Sequence, residues 1–150
     1  MVLVDTSVWI RSLAGRISYT RELDRLLALD EVVGHELVYG ELLIGDRGGR
    51  RELLAAYERL QQARRVPHHE VVKFVHSRDL GGRGVGWIDI HLLASSLVDR
   101  VRLWTADPRF AAVAVEIGVG YEATGGGGAA ILRTENPWLL LQNQRSRVRS

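Results

Sequence analysis

The sequence predicts an α/β domain in three layers, with a central, mainly parallel sheet of four to five strands between helices. Two observations carry the prediction. Short aliphatic runs alternate with segments of helical periodicity along most of the chain. A length of 150 residues with 46% hydrophobic content suits one domain able to bury its own core. Strands separated by helices must pair in parallel through right-handed crossovers, which leaves helices on both faces of the sheet.

The elements follow in order. Val2 to Val4 form the first strand and end at Asp5, after which Ser7-Val8-Trp9-Ile10 opens a helix. Leu23, Leu26 and Leu27 mark one face of the next helix, which ends near Asp30. Val32-Val33-Gly34 reads as the second strand, and Glu36 to Ile44 as a helix stopped by Gly45. From Arg50 to Gln62, Leu53, Leu54, Tyr57 and Leu60 recur at helical spacing. Arg65-Val66-Pro67 reads as a short third strand, because Pro67 bars longer pairing. Glu70 to Asp79 is helical, with Val71, Val72, Phe74 and Val75 inward. A glycine-rich turn, Gly81 to Gly86, leads into a helix starting near Ile88. Val101 to Thr105 is the fourth strand, Pro108 suits a first helical turn before Phe110 to Ile117, and Val119 to Tyr121 is a fifth, edge strand.

Composition excludes several classes of function. Cysteine is absent, so there is no disulfide or thiolate metal site, and a reducing cytoplasm suits the chain. No run approaches the roughly 20 apolar residues of a membrane span, and Asp5 and Arg11 interrupt any secretory h-region. All but one of the 20 basic residues are arginine, the exception being Lys73. Such a surface suits nucleic acid, although genomic base composition gives the same bias.

Four acids, Asp5, Glu41, Asp89 and Asp107, stand in the apolar or small-residue strings VLVD, VYGELL, GWID and LWTAD, where a strand or turn gives way to a helix. In open parallel sheets sites gather beyond the carboxyl ends of strands. Asp5 and Asp107 fall at that edge, Asp89 in a first helical turn, and Glu41 about one and a half turns into its helix. Carboxylates converging with no matching Lys or His call for a divalent cation and point to cation-assisted phosphodiester chemistry. Each acid has a plainer reading. Asp5 would cap its helix, Asp89 would be a first-turn helix acid, Asp107 would form a turn with Pro108, and Glu41 would be solvated.

The strings VLVDTSVWI, HELVYGELLIG, RGVGWIDIHLLASSL and LWTADPRF resemble those of the PIN-domain ribonucleases, and specifically the VapC toxins of toxin–antitoxin pairs. The resemblance runs from Met1 to about Tyr121, and Thr105, Asp107 and Phe110 reproduce the family's T-x-D-x-x-F spacing. It implies an endoribonuclease in which Asp5, Glu41, Asp89 and Asp107 hold Mg²⁺ or Mn²⁺ and leave a 5′-phosphate and a 3′-hydroxyl. It further implies a cognate antitoxin, a homodimer or toxin–antitoxin hetero-oligomer, and RNA as substrate. The competing reading is a catalytically silent RNA-binding or regulatory domain of the same fold.

Around these acids, Thr6, Ser7 and Thr105 offer hydroxyls to carboxylates or metal waters. Arg83 is the arginine best placed to hold a phosphate, with Arg47, Arg50 and Arg51 as further candidates. Gly81 to Gly86 lacks the Lys-[ST] of a phosphate loop and reads as a turn that lets RNA or a helix approach closely. His91 is expected on a helix flank, and Trp9, Trp87 and Trp104 in the core. An aspartyl-nucleophile phosphatase is disfavoured, since Thr6 and Ser7 supply no second acid after Asp5.

The domain is expected to span residues 1–121. Residues 122–150 depart from the family pattern as a tail with a linker, Gly125 to Gly128. Asn136-Pro137 would start a short helix carrying Trp138 and Leu139 to Leu141, and Arg145, Arg147 and Arg149 make a basic end.

Overall fold

A computed structural model describes residues 1–123. The expectations for the tail, with its linker, Trp138 helix and basic end, lie outside the described residues. The order is β1 (Val2–Val4), α1 (Thr6–Leu13), α2 (Ile17–Ala28), β2 (Val32–Val33), α3 (Glu36–Ile44), α4 (Arg51–Glu58), α5 (His68–Arg78), α6 (Trp87–Asp99), β3 (Arg102–Trp104) and α7 (Pro108–Ile117).

The sheet is fully parallel in the order β2-β1-β3, with Leu3 opposite Val33 on one side and Leu103 on the other. Successive strand residues face opposite sides, yet Val2, Leu3 and Val4 are all buried, so helices cover both faces. The core that results takes in Trp9, Leu23, Leu42, Leu92, Leu93 and Phe110, each inaccessible to solvent. Helix α1 packs on α2, α3 on α4, and α5 on α6, while α6 lies against β3. None of the helices among the described residues is long and apolar enough to cross a membrane.

Three strands form where four to five were expected, because the outer two shrink to single bridges. Gln62, not Val66, pairs with Gly34, and Gly120 pairs with Leu103. The Gln62 side chain lies in the space above Gly34 that a Cβ would fill, so pairing stops there. On the other edge the bridge consists of the Leu103 N–H to the Val119 carbonyl (2.8 Å) and the Tyr121 N–H to the Leu103 carbonyl (2.9 Å), while the Gly120 N–H turns back to the Ala114 carbonyl of α7 (3.0 Å).

Three polar side chains inside the core, those of Tyr57, His35 and Ser95, are tied into one network. The Tyr57 hydroxyl accepts from the His35 N–H (2.8 Å), and the His35 ring caps α3 by accepting from the Leu37 N–H at Nδ1 (3.1 Å). That fixes the proton on Nε2, which donates to Ser95 Oγ (3.0 Å); Ser95 in turn donates to the Arg64 carbonyl (2.6 Å). Burial pulls the His35 pKa down, in keeping with a neutral ring. The network anchors the segment between α4 and α5 onto α6, whose first turn carries Asp89.

Candidate active site

Asp5 follows β1, the middle strand, and its N–H bonds the Trp104 carbonyl of β3 (2.8 Å). The chain turns from β1 to neighbours on opposite sides, so Asp5 and Thr105 meet at the carboxyl edge where the topology switches. Asp5 occupies the cap position of α1 but makes no side-chain cap bond, which removes its plainer reading. Its Oδ2 instead accepts two hydroxyls, Ser7 Oγ at 2.6 Å and Thr105 Oγ1 at 2.9 Å.

Those hydroxyls have their directions imposed. Ser7 Oγ accepts the Ala106 N–H (3.0 Å) and Thr105 Oγ1 accepts the Asp107 N–H (3.1 Å), so each is left to donate toward Asp5. The carboxylate is thereby clamped from two sides although it is only 5% exposed. Replacing both hydroxyls, as Ser7→Ala with Thr105→Ala, is expected to weaken cation binding about 10- to 100-fold, read by titration calorimetry. An unchanged affinity would show the clamp to be ornamental to the site.

The other three acids come from separate elements. Glu41 on α3 accepts from Thr6 Oγ1 of α1 (2.8 Å). Asp89 accepts the Gly86 N–H (3.2 Å), half of a capping box at the start of α6. Asp107 caps α7 through Oδ1, which accepts from the N–H groups of Arg109 (2.9 Å) and Phe110 (3.4 Å). The capping readings of Asp89 and Asp107 are therefore real, and each uses a single oxygen.

Electrostatics brings the four together. The pKa of Asp89 rises from an ordinary 3.8 to about 6, first through burial, then through the charges of Asp5, Glu41 and Asp107, against the lowering effect of the Gly86 hydrogen bond. None of the four acids has a salt-bridge partner among the described residues. Each keeps one oxygen that accepts no hydrogen bond there: Asp5 Oδ1, Glu41 Oε2, Asp89 Oδ1 and Asp107 Oδ2. An all-oxygen, anionic donor set of this kind fits Mg²⁺ or Mn²⁺. Among the described residues no group of three His, Asp or Glu side chains stands close enough together, as placed, to hold a metal ion.

The remaining candidates divide. Thr6, Ser7 and Thr105 all bond the acids, as expected. Arg83 is held by Glu116 (2.7 Å), and Arg50 bonds the Leu42 carbonyl (2.9 Å) at the end of α3. Arg109, which the sequence reading passed over, lies along the glycine-rich turn: a Cβ on Gly84, where φ is +75°, would meet its guanidinium at 2.9 Å. Trp9 and Trp104 are buried as expected, but Trp87 is 43% exposed. His91 is buried, not on an open flank, and its ring meets Trp87. His35 was also missed, and its position directly before a helix was the available sign.

A family model described as PIN domain matches residues 2–116. The sequence is 45% identical over 120 residues to Ribonuclease VapC32 of Mycobacterium tuberculosis strain CDC 1551 / Oshkosh, covering 79% of this chain and 94% of the relative. The same figures hold for Ribonuclease VapC32 of strain ATCC 25618 / H37Rv. No solved structure matches significantly.

Proposed function

Since the chain belongs to the PIN-domain family of VapC ribonucleases, we propose that it is the toxin of a type II toxin–antitoxin pair and a Mg²⁺- or Mn²⁺-dependent endoribonuclease. The carrying observation is the raised pKa of the Asp89 carboxyl, caused by burial and by the charges of Asp5, Glu41 and Asp107, with no basic side chain paired to any of the four among the described residues. Asp5, Asp89 and Asp107 would hold the cation, with Glu41 either a further ligand or the group that orients the attacking water. Bound there, the cation supplies charge neutralisation at the scissile phosphate and acidifies a water.

The side chains contribute the rest. Ser7 and Thr105 fix the Asp5 carboxylate before substrate arrives, so its orientation costs nothing during the reaction. Thr6 holds one Glu41 oxygen and leaves the other to receive a proton from water. Asp89, with a pKa near 6, loses its proton fully only above neutrality, so cation binding releases protons and strengthens as pH rises. Products carry a 5′-phosphate and a 3′-hydroxyl, so the RNA 2′-OH need not be the nucleophile. Arg83, within the glycine-rich turn, would contact phosphate on leaving its pair with Glu116.

Residues 1–121 act as the catalytic unit and 122–150 as an appended tail. Partners are a cognate antitoxin that covers the acidic groove and a second copy of the chain, and the protein works in the cytoplasm. The test is cleavage of a structured RNA panel. Cutting in Mg²⁺ or Mn²⁺ that chelator abolishes, with the stated end groups, is the expected result. RNA retained but uncut in either metal would instead leave the silent RNA-binding domain.

A further inference from the structure

The glycine-rich turn before α6 is held along one face of α7. Arg83 in the turn pairs with Glu116 near the end of that helix (2.7 Å), and Gly84 receives the side chain of Arg109 from its first turn. Arg109 and Glu116 are two helical turns apart, so they share a face. The contact at Gly84 is close. A Cβ there would stand 2.9 Å from Arg109 Nη1 and 3.0 Å from its Cδ, and a φ of +75° disfavours any side chain at the same position. Gly84 and Arg109 are nevertheless both exposed, so the guanidinium lies on bare backbone at the surface.

Direct contacts place Arg109 between two of the site acids. Its own N–H donates to Asp107 Oδ1 (2.9 Å). Its guanidinium reaches Gly84, whose Cα is at most about 7.6 Å from that of Gly86. The Gly86 N–H in turn donates to Asp89 Oδ2 (3.2 Å). The side chain therefore crosses from the helix that Asp107 caps to the turn that bonds Asp89.

The charge it carries there is uncommitted. No carboxylate pairs with Arg109 among the described residues, although Arg25, Arg64, Arg65 and Arg83 each have one. The Asp107 carboxylate bonds the N–H groups of α7 instead. A cation in the first turn of a helix is also opposed by the macrodipole, so helix stability does not account for an arginine at this position. A planar fork of N–H donors without an anion matches the oxygens of a phosphodiester.

Resting on the ribonuclease reading, we infer that Arg109 binds a backbone phosphate of the RNA strand held at the acid cluster, with Gly84 keeping clear the room its guanidinium needs. The contact fixes the path of the strand past Asp89 and Asp107 and reads no base. Arg109 breaks no ion pair to make it, whereas Arg83 must leave Glu116.

The experiment measures anisotropy of a labelled single-stranded RNA in the uncut Asp5→Asn background, the strand being a segment of the panel that wild type cuts or retains. Arg109→Gln is expected to weaken binding about 10-fold and to reduce the slope of log affinity against log salt by about 0.7. Arg109→Lys should restore the slope but only part of the affinity, since an ammonium keeps the charge and lacks the fork. A neutral methylphosphonate moved along the strand should reproduce the loss at one linkage only, with no further loss in Arg109→Gln. Gly84→Ala should weaken binding by itself and add nothing to Arg109→Gln. An unchanged salt slope in a normally melting Arg109→Gln protein overturns the inference, as does a loss spread evenly over all linkages. A lower melting temperature with unchanged RNA affinity makes Arg109 a strut for the turn and overturns it too. The two readings fail separately. If wild type cuts RNA while Arg109→Gln binds with the same slope, only the phosphate inference falls; if wild type never cuts but binds one phosphate through Arg109, only the nuclease reading falls.

Discussion

Asp5→Asn is expected to lower cation-dependent RNA cleavage on the order of 1,000-fold while leaving the fold in place. Asparagine preserves the shape, and its Oδ1 still accepts the Ser7 and Thr105 hydroxyls. What it removes is the negative charge on the most buried of the four site acids. Losing several kcal/mol of transition-state charge stabilisation corresponds to a rate loss of about that size. Single-turnover cleavage of RNA in Mg²⁺, with circular dichroism to verify the fold, is the measurement. Retention of more than about a tenth of the activity would remove Asp5 from the chemistry.

The second large effect concerns stability and has a pH signature. In the fold Asp89 titrates near 6, above its ordinary 3.8. Between those values the folded chain keeps a proton that the unfolded chain has lost, so stability falls as pH rises through this window and stays reduced above it. The full distance corresponds to at most about 3 kcal/mol, which solvent around a half-buried carboxylate screens to about 1 kcal/mol. Asp89→Asn in chelator should therefore melt about 3 °C above wild type at pH 7.5, with the gain vanishing near pH 4. The Gly86 N–H keeps an oxygen acceptor in the variant, so the capping bond survives. Mg²⁺ should then raise the melting temperature of wild type more than that of the variant. A variant less stable than wild type at every pH would make Asp89 a structural cap.

Much of this site was legible because each acid sits inside a short local string. Asp5 ends an aliphatic run, Asp89 follows a glycine turn, and Asp107 precedes a proline, which are signals with a reach of a few residues. The order of strands and helices was readable for the same reason. What could not be read depends on distant partners. The obligatory direction of the Ser7 hydroxyl exists only because the Ala106 N–H arrives from 99 residues away. The shrinking of both edge strands to single bridges, at Gly34 with Gln62 and at Leu103 with Gly120, has no counterpart in the periodicity of their residues. Trp87 looked like core because its neighbours in sequence are apolar, but its ring meets His68 and His91 in space.

The bond from the Asp5 N–H to the Trp104 carbonyl has a temporal meaning as well as a spatial one. Asp5 leaves the ribosome about a hundred residues before Trp104, Thr105 and Asp107. Until then β1 lacks its β3 neighbour, and the most buried acid lacks one of its two hydroxyl donors. Until the residues between Asp5 and Thr105 have been made, a nascent chain cannot assemble the clamped Asp5 carboxylate.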